Sequence, residues 1–154
     1  MAEVLFYHLT RTPLEKTLPD LLEKSRAKGW KVVVRVGSQQ ALDQLDDQLW
    51  LGAEDGFLAH GKSGGNHDTS QPILLTCSDK VSNGADILIA VAMAQVALTE
   101  VPDFKRICIV FDGNDQAALT RAREQWSGVT DAGFPAKYWS QEGRNWFEKA
   151  SKNT

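Results

Sequence analysis

The 154-residue sequence holds two cysteines, three histidines and no apolar run near the roughly 18 residues that suggest a membrane span. Its opening, MAEVLFYHLTRTP, lacks a positive stretch ahead of a long apolar core, so no secretory signal is read and a cytoplasmic location is expected. Cys77 and Cys108 have no metal-ligand spacing, and each lies in or beside an apolar run, where a reduced core thiol is the expectation. His8, His60 and His67 form no strong ligand pattern, so no metal or other cofactor is expected. There is no G-x-S-x-G elbow, so acyl transfer lacks its nucleophile signature. Positive charge is scarce through the middle of the chain, with two Lys/Arg against ten Asp/Glu over residues 40–103. That stretch would repel phosphate, which argues against direct grip on a nucleic-acid backbone.

Apolar segments at alternating strand and helix lengths are abundant. EVLFYHL (3–9), WKVVVRV (30–36), PILLT (72–76), ADILIAVAM (85–93) and FKRICIVFD (104–112) read as strands, most of them continuous enough to be buried on both faces. Leu14, Leu18, Leu21 and Leu22 repeat at helical spacing after a Thr12-Pro13 start, with Pro19 as a blemish and Gly29 as the stop. Ser38 caps a second helix with Ala41, Leu42, Leu45 and Leu49 inward. Asn114 or Asp115 caps a third, ending near Trp126. KYWSQ reads as a short strand, and the tail GRNWFEKASKNT as a last amphipathic turn or two. Alternation of this kind predicts a single α/β domain over residues 1–154: three layers, Rossmann-like, with a largely parallel sheet. A glycine-rich segment, 52–71, interrupts it, and its 61–70 stretch reads as a mobile loop.

Within that segment GFLAHGKS (56–63) fits the phosphate-binding pattern G-x-x-x-x-G-K-[ST]. Phosphate binding needs a strand before the loop and a helix beginning at the GK[ST], so that backbone N–H groups and the helix N-terminus face the anion. Here a helix end precedes Gly56, and GGNHDTSQP follows Ser63. A nucleotide enzyme using Gly61, Lys62 and the strand-ending Asp112 therefore lacks its context and stands as the weaker alternative.

Five tryptophans are many for this length, and Trp126, Trp139 and Trp146 fall near the C-terminus. Arg123 and Trp126 lie three apart on the third helix and share a face, with Leu119 beside them. An arginine fork next to an aromatic wall suits a carboxylate carried on an apolar side chain, such as a peptide's C-terminal Phe. The plainer alternative is a core tryptophan with a snorkelling arginine. Trp50, with Phe57, Leu58 and His60, forms a second cluster, either closing the core edge or meeting another protein.

Taken in order, FYHL, LLEKSRAKGWKVVV, LDDQLW with FLAHG, QPILLT, ADILIAV, FKRICIVFD, the ARE-x-W helix with AGF, and YWSQ resemble the chi subunit family of bacterial DNA polymerase III holoenzyme across roughly 140 residues. The resemblance implies a Rossmann-like fold without nucleotide chemistry and a non-catalytic accessory role in DNA replication. It also implies a tail site for the acidic, Phe-ended C-terminus of single-stranded-DNA-binding protein at Arg123, Trp126 and Leu119. A surface for the psi subunit or another clamp-loader subunit maps to Trp50, Phe57 and Leu58. DNA would be met only through the coated template, and neither a membrane nor a small-molecule substrate is implied. Ser127 stands where some family members carry lysine, which implies a thinner basic cluster.

Overall fold

A computed structural model describes residues 2–10, 14–51, 61–62, 71–78, 83–142 and 145–153, with residues 14–16, 50–51, 141–142 and 145 in backbone only. The elements run β1 (Glu3–Leu9), α1 (Leu14–Ala27), β2 (Val32–Val36), α2 (Gln39–Leu51), β3 (Gly61–Lys62), β4 (Ile73–Thr76), β5 (Ile87–Val91), a 3-10 turn (Leu98–Asp103), β6 (Arg106–Asp112), α3 (Gln116–Asp131), β7 (Ala136–Glu142) and β8 (Asn145–Lys152). All strands join one sheet in the order β3-β4-β2-β5-β6-β1-β7-β8. Every pairing is parallel except that of β7 with β8.

The all-apolar strands are buried on both faces because helices cover both. Residues of β2, β4 and β5 are buried throughout. Alternate side chains feed two cores. Leu18 and Leu22 of α1 and Leu42, Leu45 and Leu49 of α2 pack on one face with Val32, Val34 and Ile89. Ala118, Ala122 and Val129 of α3 and Val101 of the 3-10 turn pack on the other with Phe6, Val33, Leu88 and Ile109. The architecture is thus a three-layer α/β fold, as the alternation of segments predicted. Ser38 caps α2, its hydroxyl accepting from Ala41 N–H at 3.2 Å. Asp115 caps α3, its carboxylate accepting from the N–H groups of Ala117 and Ala118. α1 runs unbroken through Pro19. The proposed Thr12-Pro13 start of α1 lies outside the described residues.

Four expectations change. The tail is not a helical turn: residues 145–152 form β8, antiparallel to β7. Local helix propensity there is outweighed by the unpaired N–H and C=O groups that β7 offers on its open side. Between Tyr138/Ala150 and Trp139/Glu148 the register shifts, leaving Lys149 as an extra residue in β8. Gly61–Lys62, read as part of a loop, form a short strand parallel to β4; the rest of 61–70 lies outside the described residues. α3 extends to Asp131, five residues past Trp126. Cys77 is exposed, not a core thiol, because β4 ends at Thr76 and Cys77 falls in the turn that follows. Cys108 is fully buried in β6, and burial pushes its thiol up to about 12. A thiol reagent at neutral pH is therefore expected to label one cysteine in the native protein and two in denaturant. Prompt labelling of both without denaturant would contradict the burial of Cys108.

At the carboxyl ends of β2 and β5 the chain departs to opposite sides of the sheet, into α2 from one and into the 3-10 turn from the other. Folds of this shape have a crevice at such a point. Here Arg35 of β2 lies there, only 3% exposed. Its Nη1 donates to Glu100 Oε1 at 2.7 Å and to the Gln95 carbonyl at 3.0 Å, and its Nε to the Ser78 carbonyl at 3.1 Å. Gly37 follows at a tight approach: a Cβ there would lie 1.9 Å from the Ala92 carbonyl oxygen. Among the described residues no helix is long and apolar enough to cross a membrane.

Candidate protein-interaction site

α3 begins just beyond the carboxyl end of β6 and packs against β6, β1 and β7. Trp126 sits half-buried over β1 and β7. Its ring meets Phe6 edge-on with centroids 5.4 Å apart, and Tyr138 at 6.0 Å and 82°. Such edge contacts suit the ring quadrupoles, adding about 0.5 to 1.5 kcal/mol each beyond area burial. Leu119 is half-buried and packs on the same core. Arg123 is exposed one turn before Trp126, toward the carboxyl ends of the strands. The helix therefore does bring together the three residues singled out from the sequence.

The sheet adds residues that the sequence did not single out. His8, the last but one residue of β1, is in register with Phe111 of β6 on one side and Ser140 of β7 on the other. Its Nδ1 is 2.7 Å from the Tyr138 hydroxyl. Its ring lies 5.1 Å from that of Phe111 and 5.9 Å from that of Tyr138. Gly113 makes room for the imidazole: a Cβ at that position would fall 1.7 Å from His8 Nε2. The hydrogen bond ties His8 to a partner 130 residues away, which the sequence did not reveal. An aromatic in each of FYHL and KYWSQ was the only available signal.

Electrostatics tie Arg123 to this cluster. Burial is the main influence lowering the His8 pKa; Asp112 opposes it and the Arg123 guanidinium adds to it. Burial raises the Tyr138 pKa, and Arg123 pulls it back. Arg123 is thus close enough to act on both side chains, and Tyr138 stays protonated at neutral pH. Neutral His8 is favoured in the fold, so the unfolded chain takes up its proton first as pH falls below about 6.5. Stability is expected to decline through that window and to decline less steeply in His8→Gln, as read by thermal melts between pH 7.5 and 5.5. Parallel pH profiles for the two proteins would remove this contribution.

On the other flank of α3, Arg121, Glu124 and Gly128 line a cavity of about 370 Å³ against Leu98 and Val96. Arg121 therefore does not join Arg123, in keeping with their angular separation on the helix. Trp50 lies in the last turn of α2 in backbone only, and Phe57 and Leu58 lie outside the described residues. Lys62, the lysine of the phosphate-loop pattern, is in a strand and not at a helix start, and its ammonium lies 3.5 Å from the Asp43 carboxylate. Among the described residues no group of three or more His, Cys, Asp or Glu is placed to hold a metal ion.

The site is thus an aromatic shelf with an exposed guanidinium at its edge. The protein-family model described as DNA polymerase III chi subunit, HolC, matches residues 1–137. A Rickettsia prowazekii (strain Madrid E) protein named probable DNA polymerase III subunit chi is 26% identical over 117 residues, covering 73% of this chain and 71% of the relative. The matched stretch takes in seven of the eight strands in part or whole, together with all three helices that build the shelf and the opposite face. The chain belongs to the DNA polymerase III chi subunit family, accessory subunits of the replicative polymerase.

Proposed function

We propose that this protein is a non-catalytic adaptor of the replisome that binds the acidic, Phe-ended C-terminal tail of single-stranded-DNA-binding protein. Through a second surface it would join the clamp-loader complex, by way of psi or another clamp-loader subunit. The observation that carries the reading is the exposed Arg123 beside the half-buried Trp126, Tyr138 and His8, in a chain of the chi family. The guanidinium supplies a planar fork for a carboxylate, and Leu119 and Trp126 supply an apolar wall for the terminal ring. Trp50, Phe57 and Leu58 remain the proposed clamp-loader surface, and the chain would act as a single domain in the cytoplasm.

Fluorescence anisotropy of a labelled acidic peptide ending in Pro-Phe tests the reading. Micromolar-range binding that weakens with added salt and vanishes when the terminal Phe is deleted is the expected result. Saturable binding that ignores the loss of Phe would mean a charge contact without the apolar wall, and the tail assignment would fall.

A further inference from the structure

We infer that the Tyr138 hydroxyl, held by His8, donates a second hydrogen bond to the terminal carboxylate of the bound tail, beside Arg123. This rests on the tail reading above and specifies which atoms complete the site. Tyr138 projects from β7 onto the α3 face of the sheet, its ring stacked near Phe6 at 6.5 Å and 15° and meeting Trp126 edge-on. Those contacts fix the ring, so the hydroxyl position is set by packing. His8 then fixes its direction through the 2.7 Å contact at Nδ1.

A phenol has one proton to give and two lone pairs to offer. With the His8 proton on Nδ1, the imidazole donates to Oη and the phenolic proton is free to turn outward. An arriving carboxylate would select that arrangement. Nδ1–H donates to Oη, and Oη–H donates to the carboxylate, so each bond polarises the next in the same sense. Arg123 is exposed one helical turn before Trp126, whose ring meets that of Tyr138 edge-on at 6.0 Å. Its charge already acts on both Tyr138 and His8. Asp112 is a nearby carboxylate that opposes an anion; its Oδ1 accepts from Asn114 N–H at 2.9 Å. Tyr138 is the first residue past the stretch that the family model matches. The donor therefore belongs to a part of this chain outside that match.

Two peptides separate the possibilities: the acidic Phe-ended peptide with a free carboxylate, and the same peptide amidated at its C-terminus. Tyr138→Phe keeps the ring and removes the hydroxyl. It is expected to weaken the free-acid peptide roughly 10- to 150-fold, as for loss of one hydrogen bond to a charged group, and to leave the amide peptide at its wild-type affinity. Gly113→Ala forces the His8 ring to move. It is expected to cost a smaller factor with the free-acid peptide and nothing further in the Tyr138→Phe background. That dependence on Tyr138 is what a positioning role requires and a general loss of packing does not. Wild-type affinity of Tyr138→Phe for the free-acid peptide, with binding lost in Arg123→Ala, would overturn this inference alone. Equal losses on both peptides would also overturn it, placing the hydroxyl away from the carboxylate. Failure of the wild type to bind either peptide would overturn the tail reading itself.

Discussion

Replacing Arg123 with alanine is expected to weaken binding of the acidic, Phe-ended peptide about 30- to 1000-fold, a loss of about 2 to 4 kcal/mol. The size follows from what the guanidinium does at the shelf. Its charge acts on His8 and Tyr138, yet among the described residues it makes no ion pair. Its hydrogen-bonding fork is therefore available to a ligand. Because the side chain is exposed, the substitution should leave the melting temperature within about a degree or two of wild type, separating recognition from folding. Arg123→Lys should recover part of the charge attraction and little of the affinity, since an ammonium cannot present two parallel donors. Anisotropy titrations at two salt concentrations distinguish the contributions: the mutant should lose affinity and also show a shallower salt dependence. Unchanged binding by Arg123→Ala would put the site elsewhere.

The second large effect is on stability. Arg35→Leu is expected to cost about 3 to 5 kcal/mol, lowering the melting temperature by roughly 6 to 20 °C for a domain of this size. The buried guanidinium is the donor for Glu100 and for the carbonyls of Gln95 and Ser78. Removing it strands three acceptors from two separate loops and leaves the Glu100 carboxylate with no cation in contact, its side chain only 17% exposed. Glu100 would still accept from Ala97 N–H, which limits the damage at that end. Arg35→Lys should rescue little, because one ammonium cannot reach all three acceptors in the plane that the guanidinium fills. Replacing both charges, in Arg35→Leu with Glu100→Leu, should cost less than Arg35→Leu alone, since no carboxylate is then left behind. Urea unfolding followed by tryptophan fluorescence checks this. A cost below about 1 kcal/mol for Arg35→Leu would mean that solvent or neighbouring groups replace the guanidinium readily.

Much of the sheet could be read from residues because its strands are buried on both faces, and such strands appear as unbroken apolar runs. VVV at 32–34, ILL at 73–75 and ILIAV at 87–91 are of this kind. The helix caps were legible because Ser38 and Asp115 act on their own chain neighbours. The pairing of Arg123 with Trp126 was legible for the same reason, being a consequence of helical pitch. The His8–Tyr138 contact was not, because it depends on β1 pairing in parallel with β7 in one register, across 130 residues of sequence. The role of Arg35 is likewise invisible in the sequence, since its acceptors lie 43 to 65 residues away. β8 was misread because whether a polar, half-amphipathic segment becomes a strand is decided by the open side of its neighbour. The Trp146 ring, edge-on to Tyr7 at 5.3 Å, helps hold it there.

The two outermost strands of the sheet end it in different ways, and both bear on how the protein behaves when crowded. A sheet margin is a template on which another chain can add and begin a fibril. Among the described residues, β3 offers a margin two residues long. β8 is eight residues long, but it carries the extra residue Lys149 in its middle, with exposed Glu148 and Lys152 alongside. A lysine at an irregularity interrupts the ladder that an incoming strand would need, and the surrounding charges make its desolvation costly. A chain whose long outer strand is broken in this way can stay dispersed at high local concentration.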